Sequence, residues 1–334
     1  MIMKLTRRAA LGSIAAAGLA FGAAAPSFAA DMTFTLATSG SETDQRSVAM
    51  AEVFGPGVAD FACFEPHYNG TLFAQGTELE AIARGNLEMS ITSAQELAEY
   101  IPEFSIFTAG YVHQNAAHQV AVFNDDVFDS FAAAARETLG VELLAVMYLG
   151  RRHVNLRQTR EELEVMTPAD LEGVNLRMPG SEAWQFLGRA LGAAPTPMAF
   201  TEVYTALQTG AVDGQDNPFT GTQRMKFYEV TDQIVLTNHL VSFDLFSIAK
   251  STWDAMNADQ QAKVEECALE YRSAFEGKVR EDEAELRAFF EGEGLKVYDP
   301  DRDAFRNHVL AQYAASPLSA DWPEGLVDAI SAVE

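Results

Sequence analysis

Cysteine is nearly absent, with only Cys63 and Cys267 in 334 residues. That excludes a disulfide-stapled scaffold, which carries several pairs in a far shorter chain. One bridge would still be open to an exported protein. Each cysteine, however, sits in an apolar segment, DFACFEP or KVEECALEY, where cysteine serves as a small buried hydrophobe, so two free buried thiols are expected. Positive charge is scarce too: 23 Lys and Arg stand against 48 Asp and Glu. Nucleic acid and anionic membrane surfaces are poor partners for such a field. Familiar catalytic signatures are missing, with no G-x-G-x-x-G, no Walker loop, no G-x-S-x-G and no H-E-x-x-H. The six histidines are scattered. His113 and His118, five apart, do not share a helix face as an i,i+4 pair would. An exposed or turn-satisfying role is expected for them, and neither a metal site nor a cofactor.

Long hydrophobic runs are also lacking, apart from one at the start. MIMKLTRRAALGSIAAAGLAFGAAAPSFA has a basic beginning, an apolar middle and a small-residue end where Ser27 and Ala29 fit an A-x-A-like site. These are the parts of an export signal cleaved after Ala29. Its apolar stretch is too short and too rich in alanine and glycine for a membrane span. Arg7-Arg8 resembles a twin-arginine signal, although Ala10 stands where a bulkier apolar residue is usual, so both export routes stay open. Without a cysteine in the signal, a lipoprotein anchor is not expected. The mature chain is placed in the periplasm.

What remains alternates between strand-like and helix-like segments. DMTFTLATSG places Met32, Phe34 and Leu36 on one face of a strand, and DFACFEPHYNG forms a second that Asn69-Gly70 ends. Thr77 and Glu80 have the capping-box spacing for a helix that Gly85 closes. LEMSITS follows, then VELLAVMYLG, apolar enough to be buried on both faces. Thr167-Pro168 opens another turn and Gly173 ends it. VNLRM, the helix SEAWQFLGRALG, and the strands DQIVLTNHL and FDLFSIA come next. From Asn257 to about Glu291 the pattern is helical, with Val264, Cys267, Tyr271 and Phe275 as an apolar stripe. The fold class is α/β, and the length suits two domains. With no Pro/Ser linker, the chain would cross between domains through strands.

Two features stand out in this acidic chain. GRRHVNLRQTR gathers Arg151, Arg152, His153, Arg157 and Arg160, and Arg177 ends VNLRM. Arg152 and Arg177 each follow a strand, near the carboxyl ends where open α/β sheets bind ligands. A planar guanidinium meets a carboxylate with two parallel bonds. The second feature is AFTEVYTALQTGAVDGQDNP, residues 199–218. There Thr201 caps a helix, Gly210 ends it, and a short strand leads to the polar tip Asp216-Asn217-Pro218.

The block GVNLRMPGSEAWQFLGRALGAAPTPMAFTEVYTALQTGAVDGQDNP resembles the central signature of the solute-binding subunits of TRAP (tripartite ATP-independent periplasmic) transporters, the DctP-like family. The similarity extends through KFYEVTDQIVLTNHL and STWDAMNADQQAKVEECA, and back through FAQGTELEAIARGNLEMSITSAQELAEYIPEF, so it covers about Phe34 to Tyr313. It implies a two-domain periplasmic binding protein fold with a central ligand cleft, crossing strands and a long helix spanning both domains. One domain would hold residues 30–149 with about 241–280, the other about 150–240 with about 281–334. The cleft would capture an organic acid by closing, without catalysis. By the same resemblance, Arg177 of LRMP pairs with the ligand carboxylate, Arg152 of GRR is the second arginine, Asn217 also contacts the carboxylate, and Phe200 forms the wall. Thr38, Ser39, Gln75 and Ser93 would line the other domain's side, with Asp244 receiving a ligand hydroxyl.

The polar Gln75, Ser93 and Asp244 suit a hydroxylated skeleton, hence a sugar acid such as a uronate or aldonate. If Arg177 alone held one carboxylate, Arg152 would keep spare donors for a C4-dicarboxylate or sulfonate, and a keto acid is a further alternative. The implied partners are the small and large TRAP membrane subunits, and the subunit itself is expected to be a monomer. Two other readings stay open: a binding protein of an ABC importer, and an exported α/β enzyme acting on a sugar acid. The enzyme would need a base such as His153, which on a strand points away from Arg152.

Overall fold

The computed structural model describes residues 32–333; the export-signal reading of residues 1–29 lies outside them. Among the described residues nine strands form one mixed sheet: β1 Met32–Ala37, β2 Ala62–His67, β3 Met89–Thr92, β4 Val141–Leu156, β5 Asn175–Met178, β6 Ala194–Pro197, β7 Gly214–Pro218, β8 Gln233–Ala249 and β9 Lys296–Tyr298. The order is β2-β1-β3-β8-β4-β7-β5-β6, with β9 beside β8. Helices between the strands make this the expected α/β class.

The crossing is made by β4 and β8, which run antiparallel along nearly their whole lengths. At one end β8 carries β3, and at the other β4 carries β7. The segment VELLAVMYLG therefore does not stop at Gly150. It continues to Leu156, and Arg152 lies inside the strand rather than just beyond its end. DQIVLTNHL and FDLFSIA are likewise one strand. What looked like breaks are bends. Gly150 adopts φ 112°, and the β4–β8 register shifts there and again between Arg152 and Val154. Only glycine takes that backbone easily, and an added Cβ would lie 3.0 Å from both Glu283 Oε1 and Pro218 Cβ.

The helix Ala258–Gly292 starts where Asn257 and Gln260 form a capping box. Its 35 residues reach about 50 Å, enough to touch both halves. Val264, Cys267, Tyr271 and Phe275 pack with Phe54 and Phe246, while Leu286 and Phe290 pack with Phe219 and Ile234. Between these cores Glu276 accepts a bond from the Tyr148 amide, and Glu283 from the Arg151 amide, at 3.0 and 2.9 Å. The helix is thus tied to the bend in β4.

Several local expectations need correction. Thr77 makes no capping bond; its hydroxyl donates to the Ala74 carbonyl, and Glu78 instead accepts from the Gly76 amide. Thr201 is not the cap either, because Glu202 reaches back to the Ala199 amide and the helix runs Val203–Thr209. Gly210 does end it, at φ 78°. The cysteines are free, but Cys63 is exposed and only Cys267 is buried. His113 and His118 are buried, and His118 satisfies the turn by accepting from the Gln114 amide. Leu326 and Ile330, near the C-terminus, pack with Leu97 and Phe104.

Candidate functional site

Strand order brings the key residues together. Residues 152–156 of β4 pair antiparallel with β7, which sets Pro218 opposite Arg152 and Asn217 opposite His153. On its other side β7 runs parallel to β5, with Gln215 opposite Arg177. Arg152, Asn217 and Arg177 therefore stand on three adjacent strands although they span sixty-odd positions of sequence. They face a partly open cavity of about 90 Å³ between the halves of the molecule. Eight of the nine residues singled out from the sequence line it: Ser39, Gln75, Ser93, Arg152, Arg177, Phe200, Asn217 and Asp244. Thr38 is buried and is not on the wall.

Arg177 is 1% exposed. Its Nε and Nη2 donate to the Met198 carbonyl at 2.9 and 2.7 Å, and among the described residues no carboxylate pairs with it. Nη1 has no protein acceptor. Burial pulls its pKa down, the Asp216 charge opposes that, and Arg152 adds to it. A cation withdrawn from water with only a neutral carbonyl for company is costly. The Phe200 ring lies 5.8 Å from the guanidinium carbon. Across the cleft, Gln75 Oε1 accepts from the Phe200 amide at 3.0 Å, joining the two halves.

Arg152 behaves otherwise. Its Nε and Nη2 hold the Asp216 carboxylate at 2.6 and 3.0 Å, Nη2 also reaches the Asp216 carbonyl, and Nη1 lies 3.4 Å from Ser242 Oγ. The guanidinium stacks 4.5 Å over Trp184. His239 Nε2 lies 3.0 Å from the same carboxylate. The expectation of spare donors on Arg152 is therefore corrected, since a buried acid already engages most of them. Burial alone would raise Asp216, but Arg152 and His239 hold its pKa far below the usual carboxylate range.

Asn217 is fixed from behind. Gln215 donates to Asn155 Oδ1 at 3.0 Å and Thr222 Oγ1 at 3.4 Å, which turns its own oxygen toward Asn217 Nδ2. One Nδ2 hydrogen remains for a solute. Ser93 closes a capping box with Glu96, accepting at Oγ from the Glu96 amide while the Glu96 carboxylate accepts from the Ser93 amide. Asp244 is ion-paired with Arg46. His153 packs against Phe219, with ring centroids 4.6 Å apart, and is not on the cavity wall. That leaves the enzyme reading without its base.

Sequence reasoning missed Asp44, Arg46, Glu78, Glu96, Trp184 and Arg224, all on the wall. Burial raises the pKa of Glu78, and the Glu96 charge raises it further; burial also raises Glu96. The site thus mixes fixed cations with carboxyl groups that resist ionising. It can bind an anion and several hydroxyls, and it contains no nucleophile–base pair. Among the described residues no group of His, Cys, Asp and Glu is arranged to hold a metal, and no helix is long and apolar enough to cross a membrane.

Comparison with known proteins agrees with this geometry. Residues 59–317 match the family described as bacterial extracellular solute-binding protein, family 7. A crystal structure of a TRAP periplasmic solute-binding protein from Roseobacter denitrificans, with bound 3-deoxy-D-manno-oct-2-ulosonic acid, is 59% identical. It superposes with a TM-score of 0.90, covering 91% of this chain and 100% of that one. A second from the same species, with bound L-galactonate, is 26% identical at a TM-score of 0.81, covering 91% and 99%. The sialic acid-binding periplasmic protein of Vibrio cholerae is 30% identical over 235 residues, 70% of this chain and 72% of that protein.

Proposed function

This chain belongs to the bacterial extracellular solute-binding proteins of family 7, the non-enzymatic, acid-binding components of TRAP transporters, and we propose that its solute is 3-deoxy-D-manno-oct-2-ulosonic acid or a near relative. The observation that carries the reading is Arg177, a buried cation without a carboxylate partner, which lines the same cavity as the Asn217 amide. A ligand carboxylate supplies the missing charge, and closure around it removes the water that would weaken the pairing. Phe200 and Trp184 provide apolar faces for the carbon skeleton. Ser93, Gln75 and the proton-holding Glu78 and Glu96 suit hydroxyl groups. Identity of 59% over nearly the whole chain to a protein crystallised with this eight-carbon keto acid supports it over a hexuronate.

In this reading the halves comprise residues 30–149 with about 241–280 and about 150–240 with about 281–326, and the C-terminal helix Leu326–Ala332 returns to the first. The precursor is cleaved after Ala29, by either export route, and the mature subunit works as a periplasmic monomer that delivers its acid to a small and a large membrane subunit. A thermal-shift screen of mature protein tests the ligand class. The octulosonic acid should raise the melting temperature by several degrees through mass action, more than galacturonate or succinate does. Equal or greater stabilisation by succinate would overturn the assignment.

A further inference from the structure

Arg224 ends the helix Phe219–Arg224 that follows Asn217-Pro218, and it lines the same cavity. Its Nε and Nη1 are buried without a hydrogen-bond partner. The nearest carboxylate, Asp44, lies 3.6 Å from Nε, too far for a good bond. Asp44 is already taken: Arg46 donates to it from Nε at 3.0 Å, from Nη2 at 3.1 Å and from its backbone amide at 2.9 Å. Arg46 Nη1 engages Asp244. Arg46 thus engages both carboxylates with all three of its nitrogens, whereas Arg224 makes no such bond from Nε or Nη1, and burying charged donors without partners is expensive.

Arg224 stands at a different pole from the carboxylate anchor. Arg177 donates to the Met198 carbonyl and lies 5.8 Å from the Phe200 ring, whereas Arg224 lies beside Asp44, which Arg46 holds. Around Arg224 the cations Arg46 and Arg224 face the carboxylates Asp44, Asp244 and Asp282, so the pole carries a slight excess of negative charge and a second anion would meet three acids. It suits uncharged hydroxyls, which can accept from Arg224 and donate to a carboxylate.

We propose that Arg224 is a specificity-determining ligand contact that binds the neutral hydroxyl-bearing tail of the sugar acid whose carboxylate Arg177 holds. This rests on the sugar-acid reading and is tested separately from it. Mature wild-type protein, Arg224→Gln and Arg224→Lys are titrated calorimetrically with the eight-carbon octulosonic acid, with its six-carbon 2-keto-3-deoxy analogue lacking the terminal diol, and with galactarate, a dianion. The wild type should prefer the eight-carbon acid. Arg224→Gln should weaken it about tenfold or more, while changing the six-carbon acid less than about threefold. Arg224→Lys, which keeps the charge facing Asp44 but loses the fork, should fall between them, and melting temperatures without ligand should not drop. Equal losses for both keto acids, no loss for either, no wild-type preference, or tightest binding of galactarate would overturn the assignment while leaving the sugar-acid reading intact. A wild type that binds no sugar acid overturns both.

Discussion

At the scale of single residues, the site is a contrast between two arginines. Arg152 has a buried carboxylate of its own and Arg177 does not. Arg152 therefore shapes the wall and orients Asp216, while Arg177 waits for charge from outside. Asn217 complements it with a neutral donor whose direction Gln215 sets. Replacing Asn217 with Ala should weaken binding of the acid by about 1–3 kcal/mol, because a buried carboxylate oxygen loses a partner. Calorimetry giving an unchanged dissociation constant would remove that role. Arg177, Asn217 and Phe200 were legible because they sit in one distinctive stretch of sequence. Arg46, Glu78 and Arg224 were not. A charged residue at a helix end reads as solvated until another part of the chain covers it, and here the cover comes from the opposite side of the cleft.

Elements were legible in type more than in extent. The long helix was expected to about Glu291 and ends at Gly292, because its capping residues and apolar stripe are local signals. β4 and β8 were each foreshortened, since a bend filled by Gly150 or by the polar residues around Asn238 looks like a strand end. Asn238 has φ 49° and Gly150 φ 112°, so both long strands change direction within themselves. Gly150 is the tighter case, with Glu283 of the long helix and Pro218 of β7 against it. Gly150→Ala should lower unfolding stability by roughly 1–3 kcal/mol through backbone strain and crowding. Chemical denaturation with an unaltered midpoint would show that the bend tolerates a side chain.

For the whole molecule, two half-bodies share one sheet, and hydrogen bonds bridge the cleft between them: Gln75 to Phe200 and Glu99 to Glu182. That architecture could be expected from the sequence only through resemblance, since pairing of β4 with β8 links residues about a hundred positions apart. Burying Glu78 and Glu96 has a global consequence. Both hold protons that the unfolded chain releases above the ordinary 4.5, so the unfolded state binds fewer protons and stability falls as pH rises from there toward neutrality. Asp44 and Asp216, held low by arginines, act in the opposite sense at lower pH, where their stabilisation is lost as the solution is acidified through the ordinary 3.8. Glu78→Gln should flatten the decline of melting temperature above pH 4.5, and an unchanged slope would show that Glu78 ionises freely. The central claim is that a buried, unpaired Arg177 captures the carboxylate of a sugar acid. Its most direct measurement is calorimetric titration of mature wild-type and Arg177→Ala protein with 3-deoxy-D-manno-oct-2-ulosonic acid. The account predicts tight one-to-one binding that weakens by about 2–5 kcal/mol in the variant, whereas equal affinities for the two proteins would contradict it.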